Sequence, residues 1–169
     1  MPAAAVPRTM GDFILYYYAK LVIAPSAGEA ANYRFIMDRY KRLKTGEILM
    51  SDYDREIQKL AQQPGTCVFC GVRADTVPVE VIPRDLGGRI GVHNLIHACG
   101  RCAKSKGDQN LVEWWCDTLG RDKDELPRIP AGLFLKLAYE RHTVAFGLKR
   151  KYENIRQIWP AEAVEPTVR

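Results

Sequence analysis

The chain has 169 residues, enough for one domain with its own core, and a hydrophobic content of 47% excludes a disordered polymer. A formal charge of +5 suits a nucleic acid or another anionic partner. Five cysteines, an odd number with four of them in two close pairs, argue against a disulfide framework and for metal binding in a reducing compartment.

The apolar run from Phe13 to Ala24 has the outline of a signal-peptide core, but Lys20 and three tyrosines interrupt it. It is too short and too polar to span a bilayer, so it predicts a buried helix over 11–24, no membrane segment and a cytoplasmic protein. Pro25 is expected to end that helix. Ser26-Ala-Gly-Glu29 reads as a capping box opening a second helix over 27–43. Tyr33, Ile36, Met37, Tyr40 and Leu43 recur at three- and four-residue steps and so share one face. Arg34, Asp38, Arg39, Lys41, Arg42 and Lys44 occupy the rest, a solvated face or a phosphate-contacting one. Thr45-Gly46 closes this helix, Ser51 opens a third over 51–62, and Pro64-Gly65 stops it.

Cys67 and Cys70, then Cys99 and Cys102, form two Cys-x-x-Cys pairs. Each can present two sulfurs from one tight turn, and the two together supply the four thiolates a structural zinc ion takes. Gly71 and Gly100 are expected to permit the close backbone approach of such turns. Such a closed site has no open position for substrate, so it staples and does not catalyse. Between the pairs, Val77, Val79, Val81 and Ile82, then a break at Pro83 and Gly87-Gly88, then 94–98, predict a short hairpin.

Asp108 is placed to cap a following helix carrying Leu111, Val112, Trp114, Trp115 and Leu119, with Cys116 as a small buried residue on it. At least one of the adjacent tryptophans is expected to pack inside. Pro130 suits the first turn of a last helix over 131–142, where His142 would favour the C-terminal end. Lys149-Arg-Lys151 adds a basic patch, and the tail after Pro160 reads as frayed.

The stretch 67–107 resembles the zinc-containing branch of the HNH endonuclease family, the ββα-metal fold. The resemblance rests on Cys67 and Cys70, Ile82-Pro83-Arg84, Gly87-Gly88, Asn94-Leu95, Cys99 and Cys102, and Lys106-Gly107. It implies an α+β protein in which a zinc-stapled ββα module is embedded in a mostly helical domain. The parts are an N-terminal helical region (1–65), the module with its following helix (66–120) and a C-terminal helical extension (121–169).

In that family a histidine three residues before the proline activates water, the acid before it helps to hold a divalent ion, and the residue after the fourth cysteine is the helix ligand. Here those positions carry Glu80, Val79 and Ala103. The resemblance therefore implies a nucleic-acid-binding protein, for duplex DNA, with weak or lost nuclease activity. A second reading is an active endonuclease in which Glu80 and Asn94 hold Mg²⁺ or Mn²⁺, with His93 or His97 as a substitute imidazole. A third is a zinc-stabilised scaffold for a protein partner or a second copy of the chain. Strand alternation puts His97 with Cys99 and away from Asn94. Arg84, Arg89, Arg101, Lys104 and Lys106 cluster around the hairpin turn and the helix after it, where cations would neutralise phosphates.

Overall fold

The computed structural model describes residues 7–151 and Ile158. Helix α1 (Met10–Tyr18) starts at Thr9, whose Oγ1 accepts from the Asp12 N–H at 3.1 Å. It does not end before Pro25. It widens into a π-helical turn (Ala19–Ile23) and continues through Ala24–Ser26. In the π turn the Ala24 N–H reaches back five residues to the Ala19 carbonyl. That loosening makes room for a proline ring that would otherwise press on the carbonyl four residues before it.

The capping box is also corrected. Ser26 Oγ donates to the Ile23 carbonyl at 2.7 Å, and residues 27–32 make turns. Helix α2 (Tyr33–Thr45) begins only after Asn32, whose Oδ1 accepts from the Phe35 N–H at 3.1 Å while its Nδ2 donates to Glu29 at 2.8 Å. The expected face holds for Ile36, Tyr40 and Leu43, which are buried, whereas Tyr33 is half-exposed at the helix start. Gly46, at φ 77°, terminates α2 in the left-handed region that favours glycine. Helix α3 (Ser51–Ala61) follows and buries Ile57 and Ala61.

The other long helix, α5 (Arg128–Arg141), comes from the far end of the described chain and packs against α1 and α3. It starts at Arg128, earlier than expected, with Pro130 in its first turn. Arg128 Nε donates to the Val22 carbonyl at 3.0 Å, Lys136 pairs with Asp54, and Gly132 lets the Ile57 side chain approach closely. After α5 a π turn (His142–Phe146) follows. His142 holds the C-cap position of α5, as expected, and is fully buried there with Nε2 2.8 Å from the Ile158 carbonyl oxygen. Lys149, Arg150 and Lys151 are exposed as expected, while Lys151 bridges to Thr9 in an antiparallel pair. The tail after Pro160 lies outside the described residues.

Between α3 and α5 the chain makes strands β1 (Thr76–Glu80) and β2 (Leu95–Cys99), then helix α4 (Gly100–Lys106). The strands pair antiparallel from Thr76 with Cys99 to Glu80 with Leu95. After α4, Asn110 and not Asp108 is the cap: its Oδ1 accepts from the Glu113 N–H at 2.9 Å. The following segment is π-helical (Glu113–Thr118), and it buries both Trp114 and Trp115, whereas Cys116 is only half-buried. One continuous apolar cluster runs from Phe13 and Tyr18 through Ile57 to Ile82, Ile96 and Trp114. The result is a mostly helical α+β architecture carrying one small antiparallel sheet.

Candidate metal centre and basic hairpin

The first cysteine pair lies on a tight turn. The Cys67 N–H donates to the Val72 carbonyl at 3.0 Å, the Gly71 N–H returns to the Cys67 carbonyl at 2.9 Å, and Gly71 has φ 73°. The second pair straddles the start of α4: Cys99 ends β2, and its Sγ accepts from the Cys102 N–H at 3.5 Å. Gly100 sits in ordinary helix with open space around its Cα, so the glycine is not required there as the sequence reading supposed.

All four sulfurs lie within 4.8 Å of one another, and Cys70 Sγ is 3.8 Å from Cys99 Sγ. A tetrahedron with metal–sulfur bonds of about 2.3 Å has edges of about 3.8 Å, so the spacing fits one ion among four thiolates. Burial opposes charge on Cys67, but backbone N–H groups of Cys70, Cys99 and Phe69 outweigh it and bring the thiol down to about 7. Cys102 goes the other way, raised by burial and by the sulfurs around it. Four clustered sulfurs cannot all be thiolates without a cation to balance them, and a metal ion held there would supply that balance. Among the described residues this is the one group of three or more His, Cys, Asp or Glu side chains close enough to share an ion.

The loop from Glu80 to Leu95 is braced from inside by Asn94, which has no exposed surface. Its Oδ1 accepts from the Ile82 N–H at 2.9 Å, and its Nδ2 donates to the carbonyls of Ile82 at 2.7 Å and Arg89 at 2.9 Å. Both ends of the amide are thus spent within the loop. Gly88 donates to the Pro83 carbonyl at 3.0 Å, and a Cβ there would overlap the Ile82 carbonyl oxygen. The Pro-to-Gly-Gly turn is therefore a close backbone approach that only glycine allows.

Glu80, at the end of β1, turns back on the loop. Its Oε1 accepts from Arg84 Nε at 2.8 Å and its Oε2 from the Arg84 backbone N–H at 3.2 Å. Val79 and Ala103, half-buried on β1 and α4, offer no ligand atom. Lys106 departs from the expected phosphate-facing set: it has no exposed surface, and Nζ donates to the Glu80 and Gln109 carbonyls, each at 2.7 Å. Desolvation lowers its ammonium to about 8, partly offset by Glu80 and Asp108.

The two hairpin histidines serve separate contacts. His97 Nδ1 lies 3.2 Å from Thr76 Oγ1 across the sheet, on the half-buried face of β2, while Ile96 and Ala98 take the buried one. His93, in the short turn before β2, has Nδ1 2.6 Å from Gln58 Nε2 on α3. His93 faces a cleft with Asp54, Lys136 and Glu140. Gln62 adds donations to the Val92 and Leu95 carbonyls at 3.2 and 3.0 Å, and Arg141 donates to the Leu86 carbonyl at 3.2 Å. These helical clamps on the loop were missed from sequence, because contacts thirty or more residues apart leave no local pattern.

Of the remaining cations, Arg84 and Arg89 expose more than half of their side chains although paired with Glu80 and, at 3.2 Å, with Glu140. Arg101 and Lys104 project from α4 into solvent. Trp114 and Trp115 are both buried, with indole N–H groups donating to Ser105 Oγ at 3.0 Å and to the Asp122 carbonyl at 2.9 Å. Among the described residues no helix is long and apolar enough to cross a membrane.

The arrangement defines a mixed α and β protein built around a four-cysteine cluster that could hold a metal ion. No family model, curated protein or solved structure matches the chain.

Proposed function

We propose that the chain is an HNH-related protein that binds duplex DNA in the cytoplasm, holds one structural zinc ion at Cys67, Cys70, Cys99 and Cys102, and has lost the hydrolytic centre. Four thiolates in a closed tetrahedron favour zinc, which takes sulfur ligands without geometric strain. The strand–loop–strand–helix order, with one cysteine pair before β1 and the other at the start of α4, supports the family reading.

The observation that carries the loss of hydrolysis is the state of Glu80. Its carboxylate is held by Arg84, and the buried Lys106 ammonium sits 2.7 Å from its carbonyl oxygen. Hydrolysis in the family needs a divalent ion to stabilise charge on the scissile phosphate. A fixed ammonium on the main-chain carbonyl of Glu80 repels such an ion, and Ala103 and Asn94 have no free ligand to offset that repulsion. Arg84, Arg89, Arg101 and Lys104 remain exposed on the loop and on α4, suited to phosphates without reading sequence.

The test pairs two assays on the zinc-loaded protein. Fluorescence anisotropy with a labelled DNA duplex should show binding that weakens steeply with salt. Incubation of supercoiled plasmid with Mg²⁺ or Mn²⁺ should leave it intact. Nicking that disappears in Glu80→Ala would overturn the loss of activity in favour of a working endonuclease. No binding even at low salt would favour a scaffold for a protein partner.

A further inference from the structure

A second cleft lies beside α4, where the first cysteine turn meets the π-helical segment. Its volume is about 220 Å³, below the roughly 300–1,000 Å³ of pockets for drug-sized ligands and suited to one planar heterocycle. The buried rings of Phe69, Trp114 and Trp115 back the cleft, half-buried Leu119 lines it, and Arg101 and Arg121 are exposed at it, with no carboxylate among the lining residues. Arg121 is held with its guanidinium 4.8 Å from the Trp115 ring centroid. Ser105 lines the same cleft. Its Oγ accepts from the Trp114 indole, which leaves its own hydroxyl proton for a ligand acceptor. Phe69 sits between Cys67 and Cys70, so the metal turn fixes one wall.

We infer that this cleft binds a nucleoside monophosphate unit, most simply one unpaired nucleotide of a single-stranded segment. The combination points to it: an apolar lining for a base, one hydroxyl donor for a base edge, and a guanidinium group for a phosphate. Cys70 and Cys102 also line the cleft, and thiolates there disfavour a phosphate beside them. That leaves Arg121, held against Trp115, as the phosphate anchor and places the uncharged base against Phe69 and Leu119. The site extends the nucleic-acid reading but does not depend on duplex binding, because its phosphate anchor, Arg121, is not among the duplex-facing cations.

The experiment uses the full zinc-loaded chain labelled with ¹⁵N. Titration with 5′-AMP, and separately with a short oligothymidylate, should shift the Trp114 and Trp115 indole N–H resonances saturably. Arg121→Gln should weaken both titrations by roughly tenfold, the loss of one charge-assisted contact. Leu119→Trp, which fills the cleft while keeping it apolar, should abolish the shifts. An Arg84→Gln/Arg89→Gln protein should bind 5′-AMP normally while losing duplex affinity, so the two proposals fail separately. A response to the oligonucleotide and not to 5′-AMP would assign the site to nucleic-acid strands; the reverse would assign it to a free nucleotide. Absence of both, shifts indifferent to Arg121→Gln and Leu119→Trp, or saturable shifts only with an acidic peptide would overturn the inference.

Discussion

The ammonium of Lys106, wholly inside the protein, lies 2.7 Å from the carbonyl oxygen of Glu80, and this bond ties the last turn of α4 to the end of β1. Its second acceptor, the Gln109 carbonyl, ties the same charge to the chain that follows α4. One buried cation thus closes the strand, the helix and the exit from the module. Its cost is desolvation, which sets up the first prediction.

Burial lowers the Lys106 ammonium from 10.5 to about 8. Between those pH values the unfolded chain binds more protons than the folded one, so this group makes unfolding free energy rise with pH across that window. Below about pH 8 both states are charged and the folded state bears the desolvation cost. The rise is on the order of 3 kcal/mol. Urea denaturation of the wild type and Lys106→Met from pH 7 to 10.5 should show it as an upward slope in the wild type that the variant lacks.

Metal content follows from the sulfur geometry. Mass spectrometry of the purified chain should find one zinc per molecule, and Cys102→Ser should lose it. Structural zinc contributes folding free energy outright, so chelation should lower the melting temperature by roughly 10 °C or more. Cys116→Ser, at a cysteine outside the cluster, should retain the metal.

The loop brace is testable at two positions. Asn94→Ala strands the Ile82 N–H and the Ile82 and Arg89 carbonyls in a buried site, which should cost about 3 kcal/mol in chemical denaturation. Gly88→Ala should cost as much, because its Cβ meets backbone that has no room to move. Gly71→Ala, where a Cβ meets nothing but φ is 73°, should cost only about 1 kcal/mol.

Salt dependence separates phosphate contact from mere exposure. If Arg84 and Arg89 each neutralise one phosphate, the double substitution to Gln should reduce the slope of log affinity against log salt by about 2. Melting temperature should change little, since both pairs lie at the surface.

Much of this frame was legible in the sequence, and the failures have physical causes. The Cys-x-x-Cys spacing, the hairpin, and the buried face of Ile36, Tyr40 and Leu43 are local patterns that the structure repeats. Helix starts were harder, because several polar residues compete for one cap. Ser26 lost to Asn32 and Asp108 to Asn110, each by a bond that depends on where the preceding turn ends. The run through Pro25 needed a π turn, which no residue pattern announces. Lys106 was misplaced for a different reason. A lysine in a basic cluster reads as solvent-facing, and its true acceptor, Glu80, is supplied by a strand twenty-six residues earlier.

The order in which the contacts close along the chain bears on how the molecule is made. The cysteine frame, the hairpin and the Lys106 bond need nothing beyond residue 109. The helical layer cannot close until α5 emerges, since the Val22 carbonyl waits 106 positions for Arg128. During synthesis the four-cysteine segment therefore has all of its parts while α1 and α3 still show their apolar faces to solvent. If the cluster takes zinc as proposed, zinc supply should govern an early step on the ribosome, and a nascent chain starved of metal would meet α5 with its central segment unformed.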